Sequence, residues 1–281
     1  MTAGSPSRLE RPGGHWLAVR DWPLAARERP RAQVLLVHGL GEHVGRYAHV
    51  AQHLRASGCA VRGYDQYGHG ESSGRRGDLP EGDRLLTDLA AMLDDTRRAA
   101  AGLPLVLLGH SMGGLVAARL VSLALRPVDA LVLSSPALDA GLTRLQRALA
   151  QVLGRVAPHL RLGNGIDPHG LSRDAAAVQA YVTDPLVHDR ISARLALFIA
   201  DAGPAVLAAA PHWTVPTLLL WAGEDRAVDP AGSARFAELA PRGVVTARPF
   251  PEHRHELFND RDRDVVFVAL GRWLGAQLAP Q

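Results

Sequence analysis

The stretch LLGHSMGGLV, at residues 107–116, decides the fold. It follows an apolar run, PLVLLG (104–109), and leads into GGLVAARLVSLAL (113–125), whose apolar residues recur at helical spacing. The run predicts a buried strand, so Ser111 lies at a strand-to-helix turn. Such a serine is either a nucleophile exposed at the carboxyl end of the strand or a polar residue of a tight turn. Residues elsewhere in the chain are needed to distinguish these two roles of Ser111.

The alternation of strand and helix continues on both sides of this turn. Predicted strands occupy residues 15–22, 33–39, 59–65, 104–109, 128–135, 215–223 and 244–250. Predicted helices occupy residues 46–58, 82–100, 113–125, 230–240 and 264–278. Strands that alternate with helices of this length indicate an α/β fold, with a mostly parallel sheet flanked by helices.

The alternation stops at residues 136–211, which are rich in alanine, leucine and arginine and have a helical pattern without a convincing buried strand. We therefore predict a first part of an α/β core at 1–135, a helical cap insertion at 136–211 and a second core part at 212–281. Residues 1–14, rich in Pro, Gly, Ser and Arg, are expected to be loose. Long insertions in compact domains are usually lids or binding elements.

The composition is that of an ordinary globular protein, with 281 residues, 47% of them hydrophobic and 21% charged. The net charge is +3, and every basic residue is an arginine spread among similar numbers of acids. A nucleic-acid-binding protein would concentrate this charge, so no nucleic-acid partner is expected. Cys59 is the single cysteine, which excludes an internal disulfide, and no Cys/His spacing typical of zinc sites occurs.

The sequence favours a cytoplasmic location. Residues 1–16 lack the apolar segment of a secretory signal. No uninterrupted apolar run approaches the length needed to cross a bilayer.

The pentapeptide GHSMG (109–113) fits the G-x-S-x-G elbow of the α/β-hydrolases, which requires a strand before it and a helix after it. In such an elbow the hydroxyl of Ser111 is exposed, and the backbone N–H of Met112 becomes a donor for an oxyanion. A serine hydroxyl is a weak nucleophile, so it needs a base, and the base needs an orienting acid. In this fold they follow the serine in the order acid, then histidine.

Three acids follow the predicted strand at 215–223: Glu224, Asp225 and Asp229. Asp225 is the preferred acid and Asp229 the alternative, because Asp229 is also well placed to cap the helix that begins at residue 230.

Two histidines, His253 and His255, follow the last predicted strand, and both remain candidates for the base at this point. A second oxyanion donor is expected from the loop VHGLGEHVGRY (37–47), where Leu40 is placed to give its N–H. His38 is expected to brace that loop by hydrogen bonding.

Six segments together resemble the monoacylglycerol lipase and lysophospholipase branch of the serine hydrolases. They occur in the order HGLGEHVGRY (38–47), DQYGHGESSG (65–74), GHSMGG (109–114), LSSPAL (133–138), GEDRAVD (223–229) and RHELFND (254–260). The insertion also contains a cap-like segment, LSRDAAAVQAYVTDPLVH (171–188). The resemblance runs from about residue 13 to the C-terminus.

This resemblance implies an α/β-hydrolase fold with a helical cap and no metal or organic cofactor. It implies that the nucleophile is Ser111, the acid is Asp225 and the base is His255, with Leu40 and Met112 as oxyanion donors.

The resemblance also separates the two histidines. The base of this branch stands directly before an acidic residue, as His255 does and His253 does not. Asp65, Gly68, His69, Gly70 and Ser72 match a turn that shapes the core of these enzymes. Cys59 lies in an early strand and does not match the cysteine near the active site of some members, so no thiol sensitivity is expected.

The function implied is hydrolysis of a lipid-like carboxylic ester, first of all a monoacylglycerol. A lysophospholipase, a general carboxylesterase, a thioesterase or an aminopeptidase is possible within the same fold. A hydrolase-fold binding protein without activity is disfavoured because a complete candidate triad is present.

Residues 141–162 carry leucine, valine and alanine at helical spacing with arginines between them. This face either packs on the core, or lines an acyl pocket and rests on membranes with its arginines at the head groups.

Overall fold

The computed structural model describes residues 5–100 and 102–279. Within these ranges, strands β1 to β10 span Ser5–Arg11, His15–Trp22, Ala32–Val37, Cys59–Tyr64, Leu105–His110, Ala130–Ser134, Arg161–Gly163, Arg190–Ser192, Thr217–Ala222 and Val245–Phe250. Helices α1 to α8 span Ala48–Ala56, Arg84–Ala99, Met112–Ser122, Arg144–Val156, Ala175–Thr183, Ala193–Ala209, Pro230–Leu239 and Arg263–Gln277. Each of the predicted strands and helices is present, with ends shifted by a few residues.

Eight of these strands form one sheet in the order β1-β2-β4-β3-β5-β6-β9-β10. The strands from β4 to β10 in this order pair in parallel, and β1 and β2 are antiparallel at one edge. Every residue of β5 and β6 is buried. Continuous apolar runs therefore became central strands covered on both faces, as the α/β prediction required.

Both faces of the sheet carry an apolar core. In β3, Leu35 and Val37 join the core that includes residues of α2, α3 and α7. Val34 and Leu36, which point to the opposite face, join the core that includes residues of α1 and α8. Since successive side chains of a strand alternate between faces, one apolar strand contributes to both cores.

The expectation that residues 1–14 are loose is wrong for Ser5–Arg11, and residues 1–4 lie outside the described ranges. β1 pairs with β2 along its whole length. Gly13 and Gly14 form the turn between them with φ of 79° and 73°, values that glycine adopts without a steric cost. Arg11 Nε donates to Asp88 Oδ1 at 2.8 Å, which anchors the strand to α2.

The insertion at 136–211 contains α4, α5 and α6, in keeping with its helical pattern, and also the antiparallel pair β7 and β8. Strands of three residues are too short to show an alternating pattern in a sequence. By length and apolar composition alone, the segment Ala193–His212 could cross a membrane. In the structure α6, which makes up most of this segment, packs against α3 and α4, with Leu195, Ala202 and Val206 buried.

Candidate active site

Ser111 lies at the junction of β5 and α3 with φ 54° and ψ −122°. A positive φ is unfavourable for a residue with a side chain, so neighbouring structure has to hold this turn. Its N–H donates to Ser134 O at 2.9 Å, and its carbonyl accepts from Leu115 N and Ala137 N, each at 3.0 Å. These bonds tie the backbone of the turn to β6, to the segment just after β6 and to α3.

The elbow can form because two glycines let backbone segments approach closely. A Cβ atom on Gly109 would lie 2.5 Å from Gly113 O. A Cβ atom on Gly113 would lie 2.3 Å from Val37 O. Both distances are far below van der Waals contact, so the motif's glycines are required by the packing of α3 against β5 and β3.

Three side chains from separate parts of the sequence form a chain of hydrogen bonds here. Ser111 Oγ lies 2.8 Å from His255 Nε2, and His255 Nδ1 lies 2.7 Å from Asp225 Oδ2. The other carboxylate oxygen of Asp225 accepts from Ala227 N at 2.9 Å and Val228 N at 3.0 Å. Since a carboxylate only accepts, Nδ1 carries the proton and Nε2 is free to accept from the serine.

The pKa values of His255 and Asp225 are shifted in the directions expected for a hydrogen-bonded histidine and carboxylate. Burial lowers the pKa of His255, but the charge of Asp225 and its hydrogen bond outweigh burial, so the pKa is raised. Burial raises the pKa of Asp225, but the charge of His255 and the backbone donors lower it overall. His110, with its ring centroid 4.8 Å from that of His255, has its pKa lowered to about 3 by burial and then by His255. His110 is therefore neutral near pH 7 and adds no charge beside His255.

The alternative acid and base lie elsewhere. Asp229 Oδ1 accepts from Ala231 N at 2.9 Å, so this carboxylate caps the first turn of α7. The ring centroid of His253 lies 5.2 Å from that of Phe250. The structure thus brings Asp225 and His255 to Ser111 and leaves Asp229 and His253 in structural positions.

The two predicted oxyanion donors also reach this place. Met112 is the first residue of α3, so its N–H has no acceptor within the helix. Leu40, in the loop after β3, lines the same cavity as Ser111 and Met112. Gly39 N donates to Glu42 Oε1 at 2.6 Å, a hydrogen bond within the loop that stabilises its conformation.

A buried ion cluster, which no local sequence pattern indicates, lies beneath this loop. Arg46 donates from both Nη atoms to the carboxylate of Glu256 at 2.7 Å, and Nη1 also donates to Glu42 Oε2. Burial raises the pKa of Glu256, but the charge and hydrogen bonds of Arg46, together with smaller contributions from His110 and Asn259, lower it overall. Because Glu256 directly follows His255, Arg46 joins the loop after β3 to the segment that carries His255.

Other residues named from the sequence serve the surrounding structure. Asp65 accepts from Val44 N and Glu71 N, each at 2.8 Å, and so shapes the turn after β4. His38 Nε2 accepts from Gln66 N at 2.9 Å and braces the strand end before Leu40.

Ser111 opens into a cavity of about 150 Å³. Among the residues that line it, only Ser111 and Asn164 have polar side chains, and the rest of the wall is apolar. A neighbouring cavity of about 480 Å³ shares Ala140, Leu142 and Ile199 with it. Across residues 5–100 and 102–279, no cluster of three or more His, Cys, Asp or Glu is arranged to hold a metal ion.

A parallel sheet that presents a serine elbow at the end of a central strand is the fold of the α/β-hydrolases. The chain belongs to the family described as serine aminopeptidase, S33, whose sequence profile matches residues 28–262.

Individual relatives agree with the resemblance seen in the motifs. The chain is 33% identical to a monoacylglycerol lipase of Mycolicibacterium smegmatis over 252 residues, 89% of this chain and 90% of the relative. It is 32% identical to human monoglyceride lipase over 277 residues, 95% of this chain and 89% of the relative. The crystal structure of Paleococcus ferrophilus monoacylglycerol lipase superimposes with a TM-score of 0.84 at 34% identity, covering 93% of this chain and 99% of that one.

Proposed function

We propose that this chain hydrolyses monoacylglycerols through an acyl-enzyme. The observation that carries the proposal is the chain of hydrogen bonds from Ser111 through His255 to Asp225, which opens into an aliphatic cavity. A buried serine, histidine and aspartate in this geometry can activate a nucleophile, and an aliphatic wall suits an acyl chain. The names of the relatives point to the same substrate class.

In the acylation step, Ser111 Oγ attacks the ester carbonyl carbon while His255 Nε2 takes the hydroxyl proton. Asp225 stabilises the imidazolium that forms. The N–H groups of Leu40 and Met112 donate to the oxyanion. The bond to the alcohol oxygen then breaks as His255 returns the proton to that oxygen, and glycerol leaves.

Deacylation repeats these roles with water. His255 takes a proton from a water molecule, and the water oxygen attacks the acyl carbon. The bond to Ser111 Oγ breaks, the serine regains its proton from the imidazolium, and the fatty acid is released. The same base therefore acts in both halves of the reaction.

The cavity favours an ester lipid over a peptide substrate. An aminopeptidase has to hold the charged amino group of its substrate, which calls for an acidic side chain near the nucleophile. No acidic side chain lines the cavity at Ser111 in the described part of the chain. An uncharged acyl chain, in contrast, replaces water against this wall without an unpaired charge.

A substrate panel tests the proposed function. It compares glyceryl esters of rising acyl length with lysophosphatidylcholine, a short nitrophenyl ester and an amino-acid anilide. Each methylene that enters the cavity contributes about 0.8 kcal/mol, or about fourfold in binding, so kcat/KM should rise steeply from butyryl to decanoyl glycerol. Faster turnover of the anilide, or equal rates at all acyl lengths, would contradict the proposal.

We further propose that α4 rests on an anionic lipid surface. Four apolar side chains face solvent along it, with exposed fractions of 80% for Leu145, 53% for Leu149, 56% for Val152 and 73% for Val156. Their spacing of four, three and four residues places them on one face. The helix contains three arginines and no acid, which complements negative head groups.

This surface is close to the cavity. α4 packs on α6, where a Cβ atom on Gly154 would lie 2.6 Å from Leu197 Cδ2. Ala196 and Ile199 of the same α6 line the cavity at Ser111. α6 therefore contacts both α4 and the cavity at Ser111.

Replacing Leu145 and Leu149 together with aspartate should abolish cosedimentation with vesicles of phosphatidylglycerol and phosphatidylcholine. The change removes two exposed apolar side chains that are proposed to enter the lipid, and adds two charges that anionic lipid repels. The matched control replaces Val265 and Val268 of α8, which are 51% and 50% exposed, with aspartate. Equal vesicle binding by both double variants would exclude α4 as the contact, and turnover of a water-soluble short ester should be unchanged in each.

A further inference from the structure

Asn164 is an unusual residue in the cavity at Ser111. It lies in the insertion, directly after β7, and contributes a carboxamide to a wall that is otherwise aliphatic apart from the serine. Its Nδ2 atom is buried and has no hydrogen-bond partner within the described residues. Buried amide groups are nearly always paired, so this donor calls for an explanation.

The orientation of the carboxamide is fixed by its other contacts. Asn164 Oδ1 accepts from Ile166 N at 3.0 Å. Asn164 N donates to Asp189 O at 2.6 Å, which ties its backbone to the segment before β8. Because the oxygen is engaged by a backbone N–H, the nitrogen is the free end of the side chain.

The free nitrogen lies beside the oxyanion loop. A Cβ atom on Gly41, the residue after Leu40, would lie 3.3 Å from Asn164 Nδ2. Gly41 O accepts from His188 N at 2.8 Å, so this part of the insertion is fastened to the loop. The donor therefore lies beside the loop whose Leu40 N–H is the proposed oxyanion donor, which is the side of the cavity proposed to hold the ester group.

An acceptor that the ligand brings would satisfy this unpaired donor. An acyl chain carries no acceptor, and the ester carbonyl oxygen is assigned to Leu40 and Met112. The alcohol portion of a monoacylglycerol carries free hydroxyl groups. We propose that Asn164 Nδ2 donates a hydrogen bond to a hydroxyl oxygen of that alcohol portion, which makes Asn164 a specificity-determining residue; this inference rests on the proposed function.

The test compares two esters that share one acyl chain, monodecanoylglycerol and ethyl decanoate. The second lacks the free hydroxyls, so it cannot use the donor. Asn164→Ser is the informative variant, because a serine hydroxyl can still accept from Ile166 N and keep the local turn, while it cannot supply the amide donor. Asn164→Ala, the second variant of the pair, removes both the acceptor for Ile166 N and the amide donor.

In both variants, kcat/KM for monodecanoylglycerol should fall about tenfold, mainly through KM, as expected for a lost hydrogen bond that leaves polar groups unpaired. For ethyl decanoate it should change less than about twofold, because that ester makes no contact with Nδ2. If Asn164 had only a structural role, its replacement would lower kcat/KM for both substrates together.

Equal losses for the two esters, or no loss in Asn164→Ser with an unchanged thermal midpoint, would overturn the inference and leave the proposed function standing. The wild-type enzyme gives the separate test of that function. If it cleaves ethyl decanoate but not monodecanoylglycerol, or cleaves neither, then the proposed function fails and the inference fails with it.

Discussion

Replacing Ser111 with alanine is expected to lower kcat for monodecanoylglycerol by at least about 10⁴-fold, since the nucleophile of a triad has no substitute. The same variant should lose covalent labelling by a fluorophosphonate, which wild-type protein should take up at one site. The reason is geometric, because Ser111 Oγ is the hydroxyl that lies 2.8 Å from His255 Nε2. Steady-state kinetics and intact-protein mass measure the two effects.

Ser135 offers a closely matched control. It is also a buried serine with a positive φ, 41°, and its Oγ has no hydrogen-bond partner within the described residues. Ser135→Ala should keep both turnover and labelling. Labelling that persists in Ser111→Ala would show that another residue is the nucleophile, and unlabelled wild-type protein would contradict the acyl-enzyme mechanism.

The parts of this structure that were predictable have local signals in the sequence. Apolar runs closed by glycine mark the central strands, and helical spacing marks the helices that cover them. The site follows from topology, because Leu40, Ser111, Asp225 and His255 each come after a strand of one parallel sheet. Carboxyl ends of parallel strands share an edge, so such residues converge without any local sequence similarity.

The parts that escaped prediction depend on contacts between distant residues. β1 is largely exposed, so it shows no apolar pattern, and it forms because β2 offers it a backbone partner. The ion cluster joins Glu42 and Arg46 to Glu256, and nothing near Glu256 indicates that an arginine so much earlier in the chain will neutralise it. Asn164 stands alone in a loop, where an asparagine is ordinary.

The resemblance supplied what residue patterns left open. From the residues alone, both His253 and His255 follow a late strand. The family pattern selected His255, and the geometry agrees because His255 contacts both Ser111 and Asp225. His253 lies two residues earlier in the same irregular segment and points in another direction. Its N–H donates to Phe250 O, and its ring lies beside the ring of Phe250.

Replacing His255, but not His253, is expected to have a second large effect on kcat. His255→Ala should lower kcat by at least about 10⁴-fold, because it removes the group that takes the proton from Ser111 and returns it to the leaving alcohol. His253→Ala should lower kcat by less than about tenfold, because its ring contacts neither reacting group, though loss of a buried side chain should cost about 1–3 kcal/mol of unfolding free energy. Kinetics and thermal unfolding of both variants separate the two roles.

The pH profile of the wild-type enzyme sharpens this comparison. The base works only when neutral, so kcat/KM should rise with pH through the pKa of His255. Burial alone would place that pKa below the ordinary value of 6.5, but Asp225 raises it above this value. The acid limb should therefore have its midpoint above pH 6.5. His253→Ala should keep this limb unchanged; a shifted or missing limb in that variant, with full activity retained in His255→Ala, would assign the base to His253 instead.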